Sequence, residues 1–327
     1  MMGIFDHFLK GPSWGVHPDD HKRPAADAPL RLFPTPERVF MPLQQHVGGA
    51  ARPVVLVGQK VLKGQLIADA QGNISAPIHA SVSGTVLAIG EVTAPHPSGL
   101  PFKAITIESD GDNRWIDTEP LADPLSAAPE EIARRAGLAG VVGLGGATFP
   151  SAVKFALGKR LKVGTLIVNG GECEPYLSSD DRIMRDFPEM VVDGARLVMH
   201  AIGAKEALVG IEDNKPEAIA AMRKAAQPYP EVKICPVPAR YPMGSDKQLI
   251  QTLTGKEVPS DCRAADVGVI VNNVSTAFAV HRAIRHGEPL IRRIVTINGG
   301  AVFLQPCFKL IGGMLAADAA GNGIDDH

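Results

Sequence analysis

A chain of 327 residues, 45% hydrophobic and 21% charged, has the length of about two domains and the apolar content of an ordinary globular protein. Its formal net charge of −2 supplies no basic field for nucleic acid, and no apolar run approaches the roughly 20 residues of a membrane-spanning helix. The four cysteines, Cys173, Cys235, Cys262 and Cys307, form no close pair, which argues against zinc and iron–sulfur ligation and for reduced thiols in the cytosol.

Residues 1–50 are rich in proline and read as an extended arm. One short apolar patch (Ile4-Phe5, Phe8-Leu9) lacks the core of a signal peptide. Trp14, Val16 and Leu30 to Phe33 are the expected anchors of this arm. His17, His21 and His46 share no ligand spacing, so no metal site is expected. Residues 51–110 change character. Short β-rich runs at 53–58, 60–67, 74–78, 83–89 and 104–108 alternate with Gly and Pro, the pattern of a small all-β unit. The Val and Gly rhythm, then Ser75-Ala76-Pro77 and Ser83-Gly84-Thr85-Val86, resembles the barrel-sandwich fold of biotinyl and lipoyl domains. Those domains carry a lysine in the hairpin that here reads Ala70-Gln71-Gly72-Asn73-Ile74. No lysine stands there, so a docking or scaffold role is expected rather than an attached prosthetic group. The turn cluster Ser109 to Asn113 marks a boundary.

From about residue 125 to 290, strands and helices alternate. Helices are expected at 129–136, 188–202, 215–226, 245–253 and 276–286. Strands are expected at 165–169, 206–211, 232–237, 267–271 and 291–297. This alternation predicts an α/β fold with a Rossmann-like, mostly parallel sheet covered by helices on both faces. Ligands of such sheets sit beyond the carboxyl ends of the strands.

Four segments of that kind stand out. Gly143-Leu144-Gly145-Gly146-Ala147-Thr148-Phe149-Pro150 is a bare backbone running into a short helix at 151–157 that carries Lys154. It reads equally as an anion site or as a turn that needs its glycines for geometry alone. Asn169-Gly170-Gly171-Glu172-Cys173-Glu174-Pro175-Tyr176 follows the 165–169 strand; its carboxylates suit sugar hydroxyls, or form a solvated acidic loop. Cys173 has no histidine near it in sequence to activate it. Tyr241 to Lys247 follows the third strand. Asn272 and Asn273 follow the fourth, as ligand amides or a plain helix cap. No catalytic triad is visible.

Taken together, these four motifs resemble the RnfC-type subunit of the Rnf/Rsx ion-translocating electron-transport complex. Gly15-Val16-His17-Pro18 and Ala94-Pro95-His96-Pro97-Ser98-Gly99-Leu100-Pro101 share the resemblance, which spans roughly residues 10–300. The core is also similar to the NADH- and FMN-binding subunit of respiratory complex I. The resemblance implies FMN standing between NADH and one-electron iron–sulfur carriers. It implies that Gly143, Gly145, Gly146 and Lys154 hold the FMN phosphate region or approach the flavin. Asn169, Glu172 and Gly244 line the flavin, Asn272 and Asn273 bind near the phosphate or ribityl chain, and Phe149 and Glu174 face NADH. The cofactor carries the hard chemistry, so no catalytic residue is required of the chain.

The resemblance further implies partner subunits of a membrane Rnf/Rsx-type complex and a peripheral place on the cytoplasmic face of the cell membrane. Residues 291–327 would begin a β-grasp-like module with an atypical tail. The family's two cysteine-rich runs for 4Fe–4S clusters are absent here, and Ala316 to Gly323 does not resemble the family. This polypeptide is therefore expected to lack the outlet for electrons. A flavin-free scaffold of the same complex, or an inactive fragment, is the rival expectation.

Overall fold

The computed structural model describes residues 15–23, 25–93 and 98–297, and the backbone of strand 307–311. The expectations for Ile4 to Leu9, Trp14, the 94–97 part of the Ala94–Pro101 motif and the tail at 316–323 lie outside these residues.

The N-terminal arm carries a two-residue strand, β1 (Arg31–Leu32), and leads into an antiparallel β unit. That unit comprises β2 (Arg38–Pro42), β3 (Arg52–Pro53), β4 (Lys60–Val61), β5 (Leu66–Asp69), β6 (Ile78–His79), β7 (Gly84–Thr93) and β8 (Pro101–Ser109). One sheet runs β2-β8-β7-β4 and the other β3-β5-β6. Between them lies a small core that includes Val39, Met41, Ile67, Ile105 and Ile107. This is the barrel-sandwich unit expected from the sequence. The run at 53–58 is different. After Pro53 it leaves the sheet and turns, with Val54, Leu56 and Val57 exposed. The Gln59 side-chain carbonyl accepts from the Leu56 N–H at 3.0 Å, and the Gly58 N–H donates to Val86 O. The same turn recurs six residues later in the chain, where Gln65 accepts from the Leu62 N–H at 3.0 Å and splits the 60–67 run in two.

The second unit begins with α1 (Pro129–Leu138) and α2 (Ser151–Arg160), then β9 (Thr165–Gly170), α3 (Ser179–Asp186) and α4 (Pro188–Ile202). It continues through β10 (Glu206–Glu212), α5 (Pro216–Ala226), β11 (Val232–Val237), α6 (Asp246–Thr254), β12 (Val269–Asn273) and α7 (Val274–Arg285). Its sheet is wholly parallel, in the order β11-β10-β9-β12. Alternate residues of β9 feed two cores. Leu166 and Val168 pack with α1, α4 and α7, whereas Ile167 packs with Leu249 and Ile250 of α6 on the other face. Helices thus cover both faces, as a parallel sheet requires.

Helix α3 escapes the periodicity reading. Its sequence, Ser179 to Asp186, has only Ile183 and Met184 as apolar residues, and both are buried. Paired charges at four-residue spacing support the turn: Arg182 to Asp186 at 2.7 Å and Arg185 to Asp181 at 3.3 Å.

Strand β13 (Arg292–Thr296) leaves the parallel sheet. It pairs antiparallel with β14 (Cys307–Ile311), which pairs in turn with β1 of the arm.

The tightest helix contact is between α4 and α7. A Cβ built on Gly194 would stand 1.9 Å from Ala277 O, a backbone atom that cannot rotate away. Gly194→Ala is therefore expected to force the two helices apart and to lower stability by about 2 kcal/mol. Urea denaturation checks this; an unchanged midpoint would show that the helices separate freely.

Candidate functional site

In spatial order the parallel strands read third, second, first, fourth. The chain leaves β9 toward β10 on one side and returns at β12 on the other. The switch point therefore lies between the carboxyl ends of β9 and β12, where such sheets open a crevice. A cavity of about 430 Å³ sits there, within the range of small-molecule sites.

Strand register brings its polar groups together. Asn273 is the partner of Asn169, so the two amides share a face of the sheet. Asn169 braces two loops at once. Its Oδ1 accepts from the Gly171 N–H at 2.9 Å, and its Nδ2 donates to Gly244 O at 2.7 Å. Those loops touch backbone to backbone. A Cβ on Gly244 would come within 2.8 Å of Gly171 O, so any side chain there would wedge them apart. The glycine-rich loop forms another wall, tied to α7 by the Leu144 N–H donating to Thr276 Oγ1 at 2.9 Å. Gly146 has φ +125°, and a Cβ there would meet nothing within 4 Å. Its backbone is open to a ligand on the cavity side.

Carboxylates line the cavity beside these amides. Glu172 is 4% exposed. Its Oε1 accepts from Ser179 Oγ at 3.1 Å and from the Asp180 N–H at 3.0 Å, while its Oε2 is buried without a partner among the described residues. Burial, reinforced by the charge of Asp180, raises its pKa to about 7. Asp180 accepts from Asn273 Nδ2 at 2.6 Å and Ser275 Oγ at 2.5 Å, and burial raises its pKa as well. Asn273 also caps α7, its Oδ1 accepting from the Ser275 N–H at 2.7 Å.

The N-terminal arm holds the acidic loop in place. Lys22 Nζ donates to Glu172 O at 2.7 Å, Glu174 O at 3.0 Å and Leu177 O at 2.5 Å. His21 stacks on Tyr176 with ring centroids 5.1 Å apart, and the Tyr176 N–H donates to Asp20 O at 2.7 Å. Val16 forms a two-bond antiparallel bridge with Tyr241, at 3.0 and 2.9 Å. Beneath the loop, a buried Lys215–Glu212 pair presents Glu212 Oε2 to the Glu172 N–H at 3.2 Å.

Two families match the chain. Residues 12–112 match the RnfC barrel sandwich hybrid domain and residues 137–282 the Nuo51 FMN-binding domain. The RnfC-type subunit of the ion-translocating oxidoreductase complex of Rhodobacter capsulatus is 50% identical over 290 residues, 88% of this chain and 56% of that protein. Its counterpart in Pseudomonas aeruginosa is 48% identical over 284 residues, 86% of this chain and 36% of that protein. The counterpart in Pasteurella multocida is 42% identical over 305 residues, 92% and 36% respectively.

The chain belongs to the RnfC family. It spans about half the length, or less, of the curated relatives it matches.

Within this RnfC-family chain, Gly145, Gly146, Asn169, Glu172, Glu174, Gly244 and Asn273 all line the one cavity. Gly143, Phe149, Lys154 and Asn272 do not. Gly143 and Phe149 close the base of the glycine-rich loop, the Gly143 N–H donating to Phe149 O at 2.8 Å. Lys154 Nζ donates to Val271 O at 2.7 Å; burial lowers its pKa and the charge of Asp246 opposes that shift. Asn272 is the register partner of Val168, which puts it on the opposite face from Asn273. Cys173 is half-buried, and burial raises its pKa, so its thiol is poorly suited to attack.

Sequence reasoning missed Lys22, and Asp180, Ser275, Arg282, Arg292 and Arg293 among the residues that line the cavity. Asp180 and Ser275 carried a local signal, since each follows a quoted motif closely. Lys22 carried none, because its partners lie 150 residues or more away.

Proposed function

We propose that this cavity binds FMN and that NADH delivers electrons to it, as the entry module of an ion-translocating electron-transport complex. The observation that carries the reading is the set of groups meeting at the β9/β12 switch point: bare backbone at Gly145 and Gly146, two amides, and a buried carboxylate oxygen, Glu172 Oε2, with no partner among the described residues. An unpaired buried acceptor costs stability unless a ligand donates to it, and the hydroxyls of a ribityl chain are such donors. The residues present therefore fit the group.

Bound FMN would supply two-electron uptake and one-electron release. The chain's own residues bind and orient. Asn169, Gly244 and Asn273 hold the strand ends around the ring, Glu172 takes hydroxyls, and Glu174 stands where the nicotinamide would approach. In this reading Gly143 and Phe149 shape the loop, Phe149 beside the NADH path. Lys154 and Asn272 act from behind it, through Val271 and the sheet. The barrel-sandwich unit serves as the docking face for partner subunits at the cytoplasmic side of the membrane; no helix among the described residues is long and apolar enough to cross it.

Reconstitution tests this. Purified protein incubated with FMN and desalted is expected to retain a yellow species that NADH bleaches under anaerobic conditions. A colourless protein would favour the scaffold reading.

A further inference from the structure

The larger sheet of the barrel-sandwich unit has one side left open. In the order β2-β8-β7-β4, strand β7 is covered by β4 only at its start, where Lys60 pairs with Thr85 and Val61 with Gly84. Two further bonds, from the Gly58 N–H to Val86 O at 2.8 Å and from the Val86 N–H to Gln59 O at 2.9 Å, end that cover. Strand β7 runs on to Thr93, paired on its other side with β8 from Ala88 opposite Thr106 to Thr93 opposite Pro101. Among the described residues, no backbone group of Leu87 to Thr93 bonds outside that ladder. Strand β8 is covered as far as Lys103, whose carbonyl accepts from the Leu43 N–H at 2.9 Å. The bare edge therefore belongs to β7.

A bare edge is a row of unpaired N–H and C=O groups, and proteins ordinarily guard one with lysine or proline. Leu87-Ala88-Ile89-Gly90-Glu91-Val92-Thr93 has neither. Its one irregularity, a bulge between Val86 and Ala88, stands at the head of the stretch, and the register is regular beyond it. Past the closed barrel the two strands form a ribbon, which is marginal in water by itself. Apolar side chains flank its head: Leu87 is 36% exposed, and Leu56 and Val57, on the turn that bonds to Val86, are 76% and 62% exposed. Main-chain groups in a row are matched by another extended chain. Charge selects which chain. Glu91 is the single charged residue of the edge, and its cross-strand neighbour Lys103 lies on the β8 side. A second copy joining antiparallel about Gly90 would bring the two Glu91 side chains to a diagonal spacing of roughly 7–8 Å. A segment with Lys or Arg opposite Glu91 meets no such repulsion.

We propose that the free edge of β7, Leu87 to Thr93, takes an extended segment of a partner subunit as an added strand, apolar where it meets Leu56, Val57 and Leu87 and basic opposite Glu91. The proposal rests on the reading above that the barrel-sandwich unit docks partner subunits, and it gives that docking a place and a chemistry.

Hydrogen exchange is measured on the free chain and on the assembled complex, isolated through a tag on this chain. The outward-facing amides of 87–93 are expected to exchange at least about tenfold more slowly in the complex. The double change Glu91→Lys with Lys103→Glu keeps the cross-strand pair but reverses the charge of the edge. That variant is expected to melt at the wild-type temperature and to yield about fivefold less assembled complex. If 87–93 exchange alike in both samples, the proposal is overturned; protection gained elsewhere in 38–109 would then leave the docking reading standing. If no amide of 38–109 gains protection, the docking reading itself fails and takes the proposal with it. A free chain that is already dimeric, with 87–93 protected, overturns the proposal in favour of a second copy. A charge-swapped variant that assembles like wild type overturns the basic partner.

Discussion

Lys22→Met is expected to destabilise the protein by about 4 kcal/mol and to loosen the loop from Glu172 to Leu177. An ammonium has three donors, and Lys22 spends all of them on three carbonyls of that loop. The side chain is 7% exposed, so water cannot replace it freely. A carbonyl left without a donor in such surroundings costs roughly 1–3 kcal/mol. Burial already lowers the Lys22 pKa and the charge of Glu172 opposes the shift, so the lysine and the glutamate support each other's charged forms. Removing the lysine should therefore raise the Glu172 pKa further. Urea denaturation gives the stability, and hydrogen exchange gives the place. Amides of 172–178 should lose protection while those of β9 and β10 keep theirs. A loss below about 1 kcal/mol would mean that the loop holds its shape without the arm.

Glu172→Gln is expected to abolish a pH dependence of stability. The folded-state pKa of Glu172 is raised to about 7 from an ordinary value of 4.5, because burial and Asp180 disfavour the charge. Below pH 4.5 the carboxyl is neutral in both states, and its contribution is fully present. As pH rises from 4.5 to about 7, the unfolded chain ionises while the folded chain retains the proton, and stability falls by about 3 kcal/mol. Above pH 7 the penalty is constant. Asp180, also raised, adds a slope of the same sign. Glutamine cannot ionise, so the variant should be more stable than wild type at pH 8 and should match it near pH 4. Melting temperatures across that range check the sign. The change also puts an amide, which donates, in the place of an oxygen that only accepts when ionised. FMN affinity is expected to fall about tenfold at pH 8, roughly 1.4 kcal/mol for one hydroxyl contact.

The α/β unit was legible because its signals are local. Val232–Val237 is strand at both ends as read, and Pro188–Ile202 is one helix with Pro at its first turn and Gly203 just beyond its end. The four polar segments were legible as strand ends, but their convergence depends on β12 returning beside β9, which no local pattern encodes. The failures have separate causes. Val54 to Val57 has strand composition, yet the Gln59 side chain and the Gly58 backbone turn it outward. Helix α3 is too polar for its period to show. Asn272 and Asn273 read alike in sequence, and only register decides that Asn273 faces the cavity.

The bridge from Val16 to Tyr241 and the Lys22 contacts also bear on how the molecule is made. Residues 16–22 are made before their partners, which emerge 150 residues or more later. Until then this segment has no surface to dock on. Closing so long a loop is entropically slow. The last event in assembly should therefore be the docking of residues 16–22 onto a nearly finished sheet, and a nascent chain arrested before Tyr241 should expose that segment to proteases.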